Sequence, residues 1–211
     1  MADARRRLAC AALLSSPLLV HAALREAIVR IKPSIVVVGT LMRSRAPAFE
    51  LKGTGFVVGN GTLIATNAHV ASVKLDDEKF EILSVLAQVD GKPQIREARI
   101  VASSPEHDLA LLQIQGAPLP ALALGDSSRV AEGQSIAFTG FPIGSVLGFT
   151  PVTHRGIVSA ITPIVIPVDN VSQLNAPNRN RLARGSFPVF QLDATAYPGN
   201  SGSPVFDPDT G

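Results

Sequence analysis

The chain has 211 residues, of which 46 % are hydrophobic and 17 % are charged, and its formal net charge is +2. This composition excludes a disordered chain, and the length is sufficient to bury a sizeable core. The 17 glycines and 16 prolines, together with short aliphatic runs, favour an all-β fold of many strands joined by turns.

The first 22 residues have the pattern of a secretory signal. The basic stretch Arg5–Arg7 precedes the largely apolar run Leu8–Val20, and Val20-His21-Ala22 offers a signal peptidase site. We therefore expect a signal peptide over residues 1–22 and an exported protein, periplasmic or secreted. The alternative is an amphipathic helix that stays attached. The apolar run is too short for a transmembrane span, so no stable membrane insertion of the mature chain is expected.

The predicted leader accounts for the basic charge and the cysteine of the chain. It contains three arginines and one aspartate, a formal charge of +2 that equals the charge of the whole sequence. The mature chain would be formally neutral, so the sequence pI of about 9.0 is no argument for nucleic-acid binding. The single cysteine, Cys10, also lies in the leader, so neither a disulfide nor thiol chemistry is expected in the mature chain.

The first half of the mature chain carries strand patterns after a short helix predicted over residues 23–32. Ile35–Val38 is a buried run of β-branched residues. Gly53–Val58 and Thr62–Thr66 predict a hairpin, and its Asn60-Gly61 turn is expected to supply the positive φ angles. Three more strands complete a first β-barrel predicted over residues 33–115, and they lie at Ile82–Val89, Ala98–Ala102 and Leu109–Ile114.

The second half, residues 122–211, follows a predicted linker at residues 116–121 that contains Gly and Pro. The polar stretch Asp169–Gly185, rich in Asn and Arg, predicts a long surface loop between two strands. The strand candidates of this half are Ser135–Thr139, Gly156–Ile161, Pro188–Leu192 and Pro204–Phe206.

The segment Gly199–Pro204 (Gly-Asn-Ser-Gly-Ser-Pro) places Ser201 between glycines. These glycines allow a tight turn that presents the hydroxyl and leaves backbone N–H groups unobstructed. Taken alone, the pattern is explained equally well as an ordinary Gly-Ser turn. A nucleophilic role requires an adjacent base, because a serine hydroxyl is a poor nucleophile at neutral pH.

Two earlier segments supply the groups that a nucleophilic serine needs. His69, in Thr66–Val70, follows a predicted strand, and an imidazole, with an ordinary pKa near ~6.5, is suited to proton transfer at neutral pH. Asp108 leads into the apolar strand Leu109–Leu112, where a carboxylate would fix the tautomer of His69 and stabilise its imidazolium form. His69, Asp108 and Ser201 are thus the candidate catalytic residues. A structural histidine and a turn-capping aspartate are the alternatives.

The order His69, Asp108, Ser201 and the segments around these residues resemble the trypsin-like serine proteases of the bacterial HtrA/Deg type. The resemblance covers the chain from Pro33 to Asp207. It includes five further segments: Gly53–Val58, Leu124–Ser127, Phe141–Gly144, Gly156–Ser159 and Gln191–Asp193. It implies two six-stranded antiparallel β-barrels of the chymotrypsin type and an exported serine endopeptidase that works through an acyl-enzyme.

The resemblance also implies the remaining parts of the site. The N–H groups of Gly199 and Ser201 would form the oxyanion hole. Thr195, six residues before the nucleophile, would lie at the base of the specificity pocket. A neutral residue there disfavours Arg and Lys and suits small or aliphatic side chains. Polypeptides, including misfolded envelope proteins, are the implied substrates. No cofactor is expected, since no spacing groups histidines and acids as metal ligands. The sequence leaves homo-oligomerisation open.

The C-terminus departs from the family pattern. The family continues for two more strands that form one wall of the specificity pocket, whereas this sequence ends at Gly211, ten residues after Ser201. We therefore expect an incomplete second barrel and a fragment of a longer protein or a truncated reading frame. The alternative function is a catalytically incomplete protease-like module that binds peptides or partner proteins. An α/β-hydrolase is disfavoured because its triad runs Ser, acid, His.

Overall fold

Six antiparallel strands between residues 35 and 114 form a closed β-barrel. The computed structural model describes residues 16–142, 149–163 and 187–211, with the backbone alone for residues 16–22. The strands are β1 (Ile35–Leu41), β2 (Phe49–Val58), β3 (Leu63–Thr66), β4 (Ile82–Val89), β5 (Lys92–Ser104) and β6 (Leu109–Ile114). In the spatial order β1-β2-β3-β6-β5-β4, each strand is antiparallel to its neighbours. The predicted first barrel is confirmed.

The apolar run of β1 is buried on both faces. Val36 and Val38, both fully buried, belong to the core of the barrel together with Ile64 and Leu112. Val37, between them, belongs to a second apolar cluster outside the barrel. A strand that is covered on both faces carries apolar residues at consecutive positions instead of alternating ones. The run of β-branched residues in the sequence is therefore explained by a cover on each side of β1.

The hairpin between β2 and β3 differs in detail from the prediction. Positive φ angles occur at Gly59 (62°) and Gly61 (86°), and not at Asn60. The Asn60 side chain instead accepts hydrogen bonds from the Thr62 N–H (3.1 Å) and the Thr62 hydroxyl (2.7 Å). Asparagine stabilises turns in this way by bonding to the backbone two residues on. Two glycines thus provide the conformation that the Asn-Gly pair was expected to supply.

In the second half of the chain, the described residues form an open four-stranded antiparallel sheet. Its strands are β7 (Ser135–Gly140), β8 (Val152–Pro163), β9 (Pro188–Asp193) and β10 (Val205–Phe206). Their spatial order is β10-β7-β8-β9. The all-β prediction with an incomplete second barrel is confirmed. The loop predicted at Asp169–Gly185, and Ile143 and Gly144 of one family segment, lie outside the described residues.

The N-terminal helix α1 spans Ser16–Ile31. It begins before the predicted start at residue 23 and continues through the predicted cleavage point after Ala22. Pro17 fits its first turn, where a backbone N–H is not needed. Ala27 and Ile31, 0 % and 2 % exposed, pack in the second apolar cluster. That cluster also contains Ile35, Val37, Phe49, Leu86, Ala137, Phe141 and Phe206, so α1 contacts both halves of the chain.

In the described part of the chain, no helix is both long enough and apolar enough to cross a membrane. The signal peptide over residues 1–22 stays a prediction.

Glu81 is a buried carboxylate at the end of the first barrel, 9 % exposed. Its Oε1 accepts hydrogen bonds from the Thr40 hydroxyl (2.6 Å) and from Arg45 Nη1 (2.8 Å), and its Oε2 accepts one from the Asp76 N–H (3.1 Å). The Thr40 hydroxyl above all, and then the Arg45 guanidinium, lower the pKa of Glu81 against the opposing effect of burial. Ionised Glu81 therefore stabilises the fold at neutral pH.

Candidate active site

The barrel register brings the segments of His69 and Asp108 together. His69 lies in α2 (Ala68–Ala71), a single turn that follows β3 after Asn67. Asp108 immediately precedes β6, and Thr66 at the end of β3 pairs with Ala110 near the start of β6. Two residues that are 39 positions apart in sequence are therefore adjacent at the same end of neighbouring strands.

The Asp108 carboxylate binds His69 through both of its oxygens. Oδ2 lies 2.7 Å from His69 Nδ1, and Oδ1 accepts a hydrogen bond from the His69 backbone N–H at 2.9 Å. A carboxylate at Nδ1 places the ring proton there and leaves Nε2 as the acceptor. Within the described ranges, no group of three His, Cys, Asp or Glu is placed to hold a metal ion.

The backbone of Asp108 is held in an unusual conformation. Its φ is 52°, in the left-handed region that costs a non-glycine residue of order 1–3 kcal/mol. The Asp108 carbonyl accepts hydrogen bonds from the Ala68 N–H (3.1 Å) and from Asn67 Nδ2 (2.8 Å). These bonds, with the two carboxylate bonds, hold Asp108 against the strain and fix its direction toward the imidazole.

Ser201 lies in a tight turn between β9 and β10. The Asn200 N–H donates to the Tyr197 carbonyl (3.0 Å), and the Ser203 N–H donates to the Asn200 carbonyl (2.9 Å). Gly199 (φ 100°) and Gly202 (φ 87°) have the positive φ angles that glycine tolerates. In the described part of the chain, no acceptor is found for the N–H groups of Gly199 and Ser201.

Strand β2 lies between the turn of Ser201 and the helix of His69. The Thr54 N–H donates to the Ser201 carbonyl at 2.8 Å. A Cβ atom on Gly53 would lie 2.7 Å from Val70 Cγ2 and 2.9 Å from the Ser201 carbonyl oxygen, so only glycine allows this approach. The segments of His69 and Ser201 thus meet on one stretch of β2.

The hydrogen bonds of the described residues link His69 to Asp108 and include none between Ser201 and His69. In unliganded active sites such contacts are often longer than in the complex with substrate. The structure therefore brings His69 and Asp108 into direct contact. It brings Ser201 to strand β2, which also contacts the helix of His69.

A groove of about 510 Å³ opens beside Ser201. Thr195 is exposed and does not line it, whereas its neighbours Ala194 and Ala196 do. The lining is mostly apolar and consists of Phe138, Leu192, Ala194, Ala196, Tyr197, Pro198, Asn200, Ser201, Ser203 and Val205. Such a surface suits a small or aliphatic side chain better than a charged one.

The sequence patterns included two residues of the site, Asn67 and Thr54, without assigning a role to either. Asn67 precedes α2, where an asparagine is expected to cap the helix, but its side chain bonds to the Asp108 carbonyl instead. Thr54 donates its hydroxyl to the Gly199 carbonyl at 2.7 Å, across 145 positions of sequence. No local pattern signals contacts over such separations.

Comparison with known proteins identifies the family of this chain. Residues 53–211 match the model of the trypsin-like peptidase domain. A protein of Pseudomonas fluorescens named "probable periplasmic serine endoprotease DegP-like" is 34 % identical over 155 residues, which cover 74 % of this chain and 26 % of that protein. A protein of the same name from a Marinomonas species is 31 % identical over 163 residues, covering 74 % and 27 %.

The similarity extends to a solved structure. The crystal structure of Deg5 has a TM-score of 0.64 and 27 % sequence identity, and the match covers 89 % of this chain and 80 % of that one. The chain spans about a quarter of the length of the curated relatives described above.

Proposed function

Because the chain belongs to the trypsin-like peptidase family, we propose that it is a serine endopeptidase unit whose catalytic residues are Ser201, His69 and Asp108. The observation that carries the proposal is the double contact of Asp108 with His69, at 2.7 Å to Nδ1 and 2.9 Å to the backbone N–H. A carboxylate so placed leaves His69 Nε2 unprotonated and ready to accept a proton.

The reaction would proceed by acyl transfer. Ser201 Oγ attacks the peptide carbonyl while His69 Nε2 takes the hydroxyl proton, and His69 then gives this proton to the departing amine. Water, deprotonated by His69, hydrolyses the acyl-enzyme and restores Ser201. Asp108 stays ionised throughout and stabilises the imidazolium form of His69.

The proposed oxyanion hole consists of the N–H groups of Gly199 and Ser201. The absence of any acceptor for them among the described residues supports this role, since a preorganised donor must be free until the negative charge develops. Removal of one such donor typically lowers kcat by about 10²–10³-fold.

Substrate preference and export are further parts of the proposal. The apolar groove beside Ser201, with Ala194 and Ala196 in its lining, supports cleavage after small or aliphatic residues. The names of the relatives and the predicted signal over residues 1–22 support an exported, periplasmic location. Extended polypeptides are the proposed substrates.

A catalytically incomplete, peptide-binding module is the second candidate. The open second sheet and the absence of a Ser201–His69 hydrogen bond among the described residues favour it. Incubation of the full chain with a diverse peptide mixture, with mass spectrometry of the products, separates the two. The proposal expects cleavage after small or aliphatic residues that Ser201→Ala abolishes. Peptides that are bound by the folded chain but never cleaved would contradict it.

A further inference from the structure

Thr54 uses all of its polar groups to contact the turn of Ser201 and the strand ends around it. It lies in β2 and is fully buried. Its N–H donates to the Ser201 carbonyl (2.8 Å), and its hydroxyl donates to the Gly199 carbonyl (2.7 Å). Its own carbonyl accepts a hydrogen bond from the Thr66 hydroxyl (2.7 Å), which anchors it to β3.

A fourth contact fixes the direction in which the Thr54 hydroxyl points. Its oxygen accepts a hydrogen bond from the Phe141 N–H at 3.0 Å. Because the hydroxyl oxygen already accepts this bond, its hydrogen points to the Gly199 carbonyl. The neighbouring Gly140 packs tightly against this hydroxyl, because a Cβ atom on Gly140 would lie 2.9 Å from Thr54 Oγ1.

The two carbonyls that Thr54 holds flank the peptide that carries the Ser201 N–H. The Gly199 carbonyl belongs to the peptide before it, and the Ser201 carbonyl belongs to the peptide after it. Peptide groups are planar, so fixing both neighbouring planes limits the rotation of the plane between them. The Gly199 N–H belongs to the preceding peptide, between Pro198 and Gly199, which is joined to the first fixed plane through the φ and ψ torsions of Gly199.

We propose that Thr54 is a positioning residue for the oxyanion hole. By holding the carbonyls of Gly199 and Ser201, it keeps the N–H groups of these two residues directed toward the carbonyl that Ser201 attacks. This inference rests on the proposed acyl transfer at Ser201. A residue of β2, in the first barrel, thus controls how the turn of Ser201, in the second half of the chain, stabilises the oxyanion.

The test compares Thr54→Val, which removes the hydroxyl at nearly the same volume, with Thr54→Ser, which keeps it. A fluorophosphonate is the probe: Ser201 Oγ attacks phosphorus, fluoride leaves, and the hydroxyl proton passes to His69. The phosphoryl oxygen of the adduct needs the same N–H donors as a peptide oxyanion. Labelling rates against probe concentration give the maximal rate and the half-saturating concentration separately. Thr139→Val is the matched control, since it removes a buried hydroxyl that bonds to Thr153 (2.8 Å).

We expect Thr54→Val to lower the maximal labelling rate by about 10- to 100-fold, less than outright loss of a donor. The half-saturating concentration should stay unchanged, and Thr54→Ser should keep a rate within about threefold of the parent. If Thr54→Val does not fold, Thr54→Ala replaces it in the comparison. A parent-like rate for the hydroxyl-free variant, an equal loss in Thr54→Ser, or an equal loss in Thr139→Val would overturn the inference. A parent that labels no faster than Ser201→Ala would instead refute the proposed function.

Discussion

Replacement of Asp108 by asparagine tests how the carboxylate controls His69. The His69 backbone N–H is a fixed donor 2.9 Å from Oδ1, so the amide oxygen of the variant must face it. The amide NH₂ then takes the place of Oδ2, which lies 2.7 Å from His69 Nδ1 in the parent. Two donors cannot share that contact, so the ring moves its proton to Nε2. In that tautomer, Nε2 cannot accept the proton of Ser201.

The tautomer of His69 determines the expected size of this effect. With the wrong tautomer, kcat should fall by about 10⁴-fold at neutral pH, which corresponds to about 5.5 kcal/mol of lost transition-state stabilisation. The fold should persist, because asparagine tolerates the left-handed φ of 52° and keeps an oxygen for the backbone bond. We expect the free energy of unfolding to change by about 1 kcal/mol or less.

The assay is peptide hydrolysis at pH 7 with thermal unfolding of the same samples. Asp126→Asn is the control, because Asp126 caps a turn through hydrogen bonds to Ser128 (3.0 and 2.6 Å) and has no contact with His69. A variant at position 108 that folds normally and keeps a tenth or more of the parent kcat would refute the tautomer argument.

Three further predictions concern stability. Gly202→Ala places a Cβ atom against the Thr54 carbonyl at a φ of 87°. We expect the free energy of unfolding, measured with denaturant, to fall by about 2 kcal/mol or more, and fluorophosphonate labelling of Ser201 to be lost. Leu112→Ala, fully buried in the barrel, should cost about 2–5 kcal/mol in chemical denaturation, whereas Leu124→Ala, 75 % exposed, should cost little; equal effects would contradict the assigned core. The lowered pKa of Glu81 means that its stabilisation is present above the ordinary glutamate pKa of about 4.3 and is lost as the pH falls through the folded-state pKa. Glu81→Gln should therefore flatten the acid limb of stability against pH, and an unchanged limb would exclude this role.

Strand positions were predictable wherever side-chain burial repeats along the chain. The predicted strand Ile82–Val89 matches β4 residue for residue, because most of its apolar side chains are buried and therefore leave a hydrophobic pattern in the sequence. The prediction for β5, Ala98–Ala102, captured only part of Lys92–Ser104. Its first half is polar and solvent-facing, and it is a strand because its backbone pairs with β4. Backbone pairing leaves no hydrophobic signal in the sequence.

The site likewise contains residues that the local sequence reveals and a residue whose role depends on packing. His69, Asp108 and Ser201 stand in short segments whose local chemistry is recognisable, and the structure joins the first two directly. Thr54 looks like an ordinary strand residue in sequence, and its contacts to the turn of Ser201 depend on how two distant parts of the chain pack. The start of α1 at Ser16 was missed because the predicted signal pattern occupied the same residues.

The central claim is that Ser201 is a nucleophile activated by His69. The most direct measurement is fluorophosphonate labelling of the full chain, with the modified residue located by peptide mass spectrometry. We predict a single adduct on Ser201, absent in Ser201→Ala and in His69→Ala, while both variants unfold at the parent temperature. Labelling at another residue, or an unlabelled parent that is fully folded, would contradict the account.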